Sequence, residues 1–175
     1  FRIFAKFAVP RKHPFVNMKN IYFRQAAEKD RALLLGFEQN LIAHERAFDL
    51  NLKAADALYY NMDYLLHDPR VHFIVAIDNS ANNDTPVACG YVKLLPNATN
   101  KYADPYYGYV GFMYTEPTYR GKGIAQQVLK HLIAWSEQQE VTQIVLEVYE
   151  KNQSAVRAYE KAGFETLMST MLYRK

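Results

Sequence analysis

The stretch Pro117–Trp135, PTYRGKGIAQQVLKHLIAW, sets a proline, two glycines and a lysine directly ahead of a helical pattern. A glycine turn between strand and helix leaves backbone N–H groups unpaired at the positive end of a helix dipole. Such a turn suits an anionic phosphate. Gly121 and Gly123 permit positive φ and close approach, and Lys122 adds a cation. The loop alone does not choose its ligand, and a plain structural turn stays open. A nucleoside triphosphate loop needs GxxxxGK followed by Ser or Thr, which GKGIA lacks. A dinucleotide turn needs a third glycine where Gln126 stands, although Glu147 and Glu150 lie at a distance suited to a ribose carboxylate.

A second chemical feature is Glu147, a carboxylate inside the apolar run LEV. A charge there needs a partner or a task, and a neighbouring Lys or Arg would serve as well as chemistry. The single cysteine, Cys89, lies in VACGYV and reads as a small buried strand residue. One cysteine can form neither an internal disulfide nor a cysteine-based metal site, so no metal is expected. A reducing, cytoplasmic setting fits this usage.

These residues must be positioned by elements that the pattern predicts. NIYFRQA (20–26) alternates as a first strand, and Glu28–Phe48 carries apolar residues at helical spacing. A second helix is predicted over Lys53–Leu66, stopped by Pro69. Residues 71–78 and 86–95 read as a hairpin about a turn-rich 79–84. Residues 96–105 are loop by composition. YYGYVGFMYT (106–115) is a strand whose glycines invite a bulge or a close backbone approach. The helix Gly121–Glu140 follows, then a strand over 141–149, a short helix over 152–163 stopped at Gly163, and a closing strand over 164–175. The order β-α-α-β-β-β-α-β-α-β is that of a mixed α/β single domain without internal repeats.

Composition agrees. The 175 residues are 50% hydrophobic and 22% charged, and suffice for one domain with a real core. Arg2, Lys6, Arg11 and Lys12 concentrate positive charge in an acid-free residues 1–17, so the formal net charge of +3 leaves residues 18–175 slightly acidic. No basic field exists there to draw nucleic acid or an anionic membrane, and neither is expected as a partner. Residues 1–17 lack the apolar core of a secretory signal. They read as an N-terminal extension, either a trimmed remnant or an artificial addition, ahead of a domain over 18–175 in which Met18 resembles a natural start.

The segment YTEPTYRGKGIA resembles the cofactor-binding motif of the GNAT superfamily of N-acetyltransferases, Arg/Gln-x-x-Gly-x-Gly/Ala, with Arg120, Gly123 and Ala125 in the matching positions. Downstream, LEVYEKNQSAVRAYEKAGF resembles the superfamily's second half through Asn152, Ala155, Tyr159, Gly163 and Phe164. The resemblance spans residues 20–175 and is strongest over 106–165. It implies a single GNAT-like α/β domain: a central mixed, mostly antiparallel sheet with splayed central strands and helices on both faces. It also implies acetyl-CoA as co-substrate, with the pyrophosphate on the N–H groups of Gly121, Lys122, Gly123, Ile124, Ala125 and Gln126. Pantetheine would pair with the backbone of Met113, Tyr114 and Thr115, in the manner of an added strand.

The implied reaction is attack of a neutral primary amine, on a small molecule or peptide, at a thioester. It needs removal of an amine proton, stabilisation of an oxyanion and a proton for the leaving thiolate. By resemblance Tyr159 is the general acid toward sulfur and Asn152 holds the cofactor side of the site. Glu147 matches the proposed base of the alanine N-terminal acetyltransferases that act on ribosomal protein; Glu116, His44 and Glu45 are other candidates. In such folds selectivity comes from the first helix pair and the loop before the central strand. Glu45, Asp49 and Asp104 would receive a cationic amine there, with Tyr106 and Tyr107 as an aromatic wall. The longer helix pair and tyrosine-rich loop of this chain set it apart from the ribosomal-protein enzymes. A homodimer is allowed, and the competing function is a non-catalytic acyl-CoA-binding regulatory module.

Overall fold

The computed structural model describes residues 18–53, 57–99 and 101–173, so the reading of residues 1–17 lies outside the described residues. Its spine is β2 (Val71–Asp78), which points Phe73, Val75 and Ile77 to one face and Ile74 and Ala76 to the other, all buried. A strand buried on both faces must be covered on both, and its near-continuous apolar run says so. The sheet order is β1 (Ile21–Gln25), β2, β3 (Thr85–Pro96), β4 (Tyr106–Thr115) and β5 (Ile144–Leu146). The first four pair antiparallel and β4 pairs β5 in parallel.

That parallel pair requires a crossover, which α3 (Ile124–Gln138) supplies. Ile124, Val128, Leu129 and Leu132 seat α3 on one face. A side chain at Gly90 would come within 2.8 Å of Val128 Cγ1, so the glycine lets α3 lie close on the sheet. On the other face α1 (Arg31–Glu45) and α2 (Met62–His67) contribute Leu34, Phe37, Met62 and Leu65. Asp30 pins the start of α1: both its oxygens take Arg24 of β1 at 2.7 and 2.8 Å, and one also accepts Ala27 N–H at 2.8 Å. The Arg24 guanidinium holds the Asp30 carboxyl below the usual carboxylate range. A short α4 (Gln153–Lys161) is capped by Asn152 and followed by Gly163 at φ 95°.

The feature that shapes the site is a bulge in β4. Cys89 opposes Tyr114 while Tyr91 opposes Gly111, so β4 spends one residue more than β3. Phe112 takes up the difference at φ 48°, a costly conformation for a bulky residue. Its buried ring is held by Tyr60 at 4.5 Å and Phe73 at 5.7 Å between centroids. The bulge inverts the strand's facing. Val110 joins the α3-side core, whereas Phe112 and Tyr114 join the opposite one, although a regular strand would send all three the same way. Pairing of β4 with β5 runs only from Gly108–Ile144 to Val110–Leu146. Beyond it the strands part, and β4 from Gly111 to Thr115 has no ladder to β5.

Three expected elements come out differently. Of the helix expected over Lys53–Leu66 only α2 forms; residues 57–61 are not helical and 54–56 lie outside the described residues. The Glu38 carboxylate accepts the backbone N–H groups of Tyr59 and Tyr60 at 2.5 and 2.9 Å, holding them out of a helix. Asn61 then caps α2 by accepting Tyr64 N–H at 3.1 Å. The strand expected over 141–149 shrinks to Ile144–Leu146, because the parting of β4 and β5 ends its ladder. The closing strand over 164–175 does not form within 164–173, where Leu167, Met168, Met171, Leu172 and Tyr173 are exposed.

Candidate active site

The glycine loop sits where β4 ends. Gly121 and Gly123 take φ 72° and 83°, and a Cβ on either would point into open space. Gly123 is the N-cap of α3 and offers no side-chain acceptor, so no cap consumes the first-turn amides of Ile124, Ala125 and Gln126. Three side chains stiffen the loop. Arg120 Nε donates to the Thr115 carbonyl at 3.0 Å, the Tyr119 hydroxyl donates to Asp78 at 2.7 Å, and Lys122 Nζ lies 4.9 Å from the Tyr119 ring centroid. Ile124 is itself core, so only its backbone can meet a ligand. The uncapped first-turn amides and the open space off both glycines suit an anion such as a pyrophosphate.

Met113, Tyr114 and Thr115 lie just past the bulge, on the stretch without a β5 partner. The Met113 side chain packs in the α3-side core and the Tyr114 ring packs 4.7 Å from Phe37, leaving their backbone as the exposed chemistry. A donor–acceptor strand edge inside a parting sheet can pair with amides of an extended ligand.

The helix α4 packs on the α3-side core through Tyr159 and Ala162. The Asn152 amide oxygen caps it by accepting Ala155 N–H at 3.3 Å and also takes the Ser154 hydroxyl at 3.0 Å. Tyr159 packs edge-on to Phe164, with centroids 6.2 Å apart. Burial first, then the negative charge of Glu45, push the Tyr159 phenol up to about 12. The last residue of α1 thus reaches the field of a tyrosine on α4.

Glu45 is the hub of this end of the molecule. Burial raises its carboxyl above the ordinary range, and a hydrogen bond from Tyr59 partly offsets the shift. Its charge is felt by Tyr59, Tyr60, Tyr109 and Tyr149 as well as Tyr159. Glu147 is exposed just beyond the end of β5 and accepts the Tyr109 hydroxyl at 3.1 Å. The Tyr109 phenol is pushed up to about 12 by burial and then by Glu147. Phe48 stacks on Tyr149 at 6.0 Å. His44, one residue before Glu45, is lowered by burial and by the charge of Arg120. Two carboxylates, a set of protonated phenols and the anion cradle therefore share one end of the sheet.

Other expected residues lie elsewhere. Asp104 accepts the Thr142 hydroxyl and helps line a hollow of about 380 Å³ beside the opening ends of β4 and β5. Tyr106, at the first position of β4, is exposed. Tyr107 faces the same way as Tyr109, two residues further from the bulge. Sequence reading missed Tyr59 and Tyr60 because they fell in an expected helix. It missed Tyr91 and Tyr149 because aromatic strand residues read as core.

With this geometry in view, the sequence profile of the Acetyltransferase (GNAT) family matches residues 37–164. N-alpha-acetyltransferase 30 of Saccharomyces cerevisiae is 26% identical over 127 residues, covering 73% of this chain and 70% of the yeast protein. A tetramutant of the BH1408 protein from Bacillus halodurans superposes with a TM-score of 0.77 at 17% identity, over 88% of this chain and 99% of that one. A predicted acetyltransferase from Clostridium acetobutylicum, solved with acetyl-CoA, gives a TM-score of 0.66 at 20% identity, over 88% of this chain and 96% of that one. Among the described residues no helix is long and apolar enough to cross a membrane. The chain belongs to the acetyltransferase (GNAT) family and is an N-acetyltransferase with acetyl-CoA as its co-substrate.

Proposed function

We propose that the chain acetylates a primary amine of a small molecule or peptide by direct attack on the thioester, at the open end of the sheet. One observation carries the reading: β4 has no β5 partner beyond Val110, which leaves the backbone of Met113–Thr115 open just ahead of the uncapped glycine turn into α3. Acetyl-CoA supplies the activated acyl group and a thiol leaving group. The amides from Gly121 to Gln126 hold its pyrophosphate, with Arg120 and Lys122 fixing the loop. The backbone of Met113, Tyr114 and Thr115 positions the extended arm, with the Thr115 N–H placed for the acyl carbonyl. Asn152 orients α4 through its cap.

The acceptor arrives as an ammonium, and Glu45 and Glu147 offer it carboxylates in an aromatic setting. Glu147, exposed and fixed by Tyr109, takes the proton that frees the amine and passes it to solvent; the second proton, lost from nitrogen as the thiolate leaves and the amide forms, ends on the thiolate through solvent. Tyr159 serves the sulfur. A phenol near 12 against a thiol near 8.5 transfers its proton uphill, so it acts first as a hydrogen-bond donor to the developing thiolate. A reducing, cytoplasmic site of action accords with the buried free thiol of Cys89. The phenol and the carboxylates at this end of the sheet favour catalysis over the non-catalytic alternative.

The test is thiol release from acetyl-CoA with polyamines, aminoglycosides, amino acids and short peptides. At least one amine class should release thiol in proportion to acetylated product. Tight acetyl-CoA binding with no turnover on any class would contradict the proposal.

A further inference from the structure

Lys93 lies on β3 two residues beyond Tyr91, on the face that Tyr91 turns toward α1 and α2. Its ammonium stands 5.0 Å from the Tyr109 ring centroid and 5.9 Å from that of Tyr91. Among the described residues it forms no ion pair. Arg70 and Arg31 by contrast are paired, with Asp68 at 2.8 Å and Asp63 at 2.5 Å. Lys93 also lines a hollow of about 370 Å³ together with Tyr60, Asn61, Tyr64, Tyr91 and Tyr109, and none of the residues lining it is acidic. Burial raises Tyr60 and Tyr91, so their hydroxyls remain protonated donors, while the Tyr109 hydroxyl is spent on Glu147. The hollow is therefore rich in donors and holds one cation without a counter-charge.

Its position relative to the reaction is fixed by Tyr109. Lys93 stands off the ring of that tyrosine, and its hydroxyl donates to Glu147. One side chain thus separates an unpaired cation from a carboxylate suited to an ammonium. A ligand spanning the two would be positive at the Glu147 end and negative at the Lys93 end. We infer that the acceptor is an amine that also carries an anionic group, a carboxylate or a phosphate, and that Lys93 binds that group. The inference rests on the acetyl-transfer reading for where the amine lies. It adds what the rest of the substrate must be. Lys93 is on this account a specificity residue. A lysine that merely packs on two rings would affect charged and neutral acceptors alike.

The experiment compares matched acceptors that differ only in the anion: γ-aminobutyrate with its amide, and phosphoethanolamine with ethanolamine. For wild type, kcat/KM should favour the anionic member of at least one pair, and the responding pair separates carboxylate from phosphate. Lys93→Gln should lower that anionic-to-neutral ratio about ten- to hundredfold, mainly through KM, and Lys93→Glu should invert it. Thermal shifts with the same four probes, without acetyl-CoA, read the subsite independently of turnover. A shift selective for the anionic probe and lost in Lys93→Gln sustains the subsite even if none of the four is acetylated, and the acetyl-transfer reading is then decided by the broader amine panel. No anion selectivity in turnover or thermal shift, or selectivity that survives Lys93→Gln, overturns the inference.

Discussion

A phenol pushed up to about 12 stays protonated over the range in which an amine becomes free to attack. Tyr159 can therefore donate to sulfur at any working pH, and its donor is lost only as pH rises through about 12. The rate should climb as the amine deprotonates and hold a plateau to pH 10; a basic limb near 9 would remove Tyr159 from the donor role. Tyr159→Phe should lower kcat about 10²- to 10³-fold, the usual cost of removing one preorganised donor. Glu45 works against stability. Its folded pKa is raised, so its neutral form's contribution is complete below the ordinary carboxylate pKa and is lost as pH rises through the raised value. Glu45→Gln should then melt higher than wild type at pH 7 and alike near pH 3, while turnover falls. An equal melting difference at both pH values would show that burial of the charge is not the cause.

At the scale of elements, the site depends on two departures from regularity, the β4 bulge and the glycine turn into α3. The space off Gly123 is open, so a Cβ there meets no protein atom but forces a left-handed residue into the cradle. Gly123→Ala should cost about 1 kcal/mol of stability and raise KM for acetyl-CoA tenfold or more; a KM change no larger than the stability loss explains would count against the cradle. Much of this scale was legible. β2 spans the expected 71–78 and β4 the expected 106–115, because β-branched and aromatic runs bounded by turn residues leave little choice. The glycines Gly108 and Gly111 hinted at irregularity, yet the bulge itself falls on Phe112, which no local preference would select. The overlong second helix had a tertiary cause, the hold of Glu38 on Tyr59 and Tyr60. The missing final strand shows that an apolar-rich segment becomes a strand only where an edge receives it.

For the whole molecule, the motifs over Arg120–Ala125 and Asn152–Phe164 announced the fold and the donor of the acyl group, because both are tied to backbone geometry. The acceptor side was much less readable. Glu45, Tyr59, Lys93, Tyr109 and Glu147 come from α1, the segment before α2, β3, β4 and the chain after β5, and only the folded chain brings them together. Asp104 and Tyr106 had suitable types but sit toward the other end of β4. The central claim is that loop, bulge and α4 act as one site across the parting strands. Hydrogen exchange of the wild-type chain with and without saturating acetyl-CoA tests it most directly. Joint protection of Met113–Thr115, Gly121–Gln126 and Asn152–Tyr159 is expected. Protection confined to other segments, or none in the stretch from Met113 to Thr115, would contradict it.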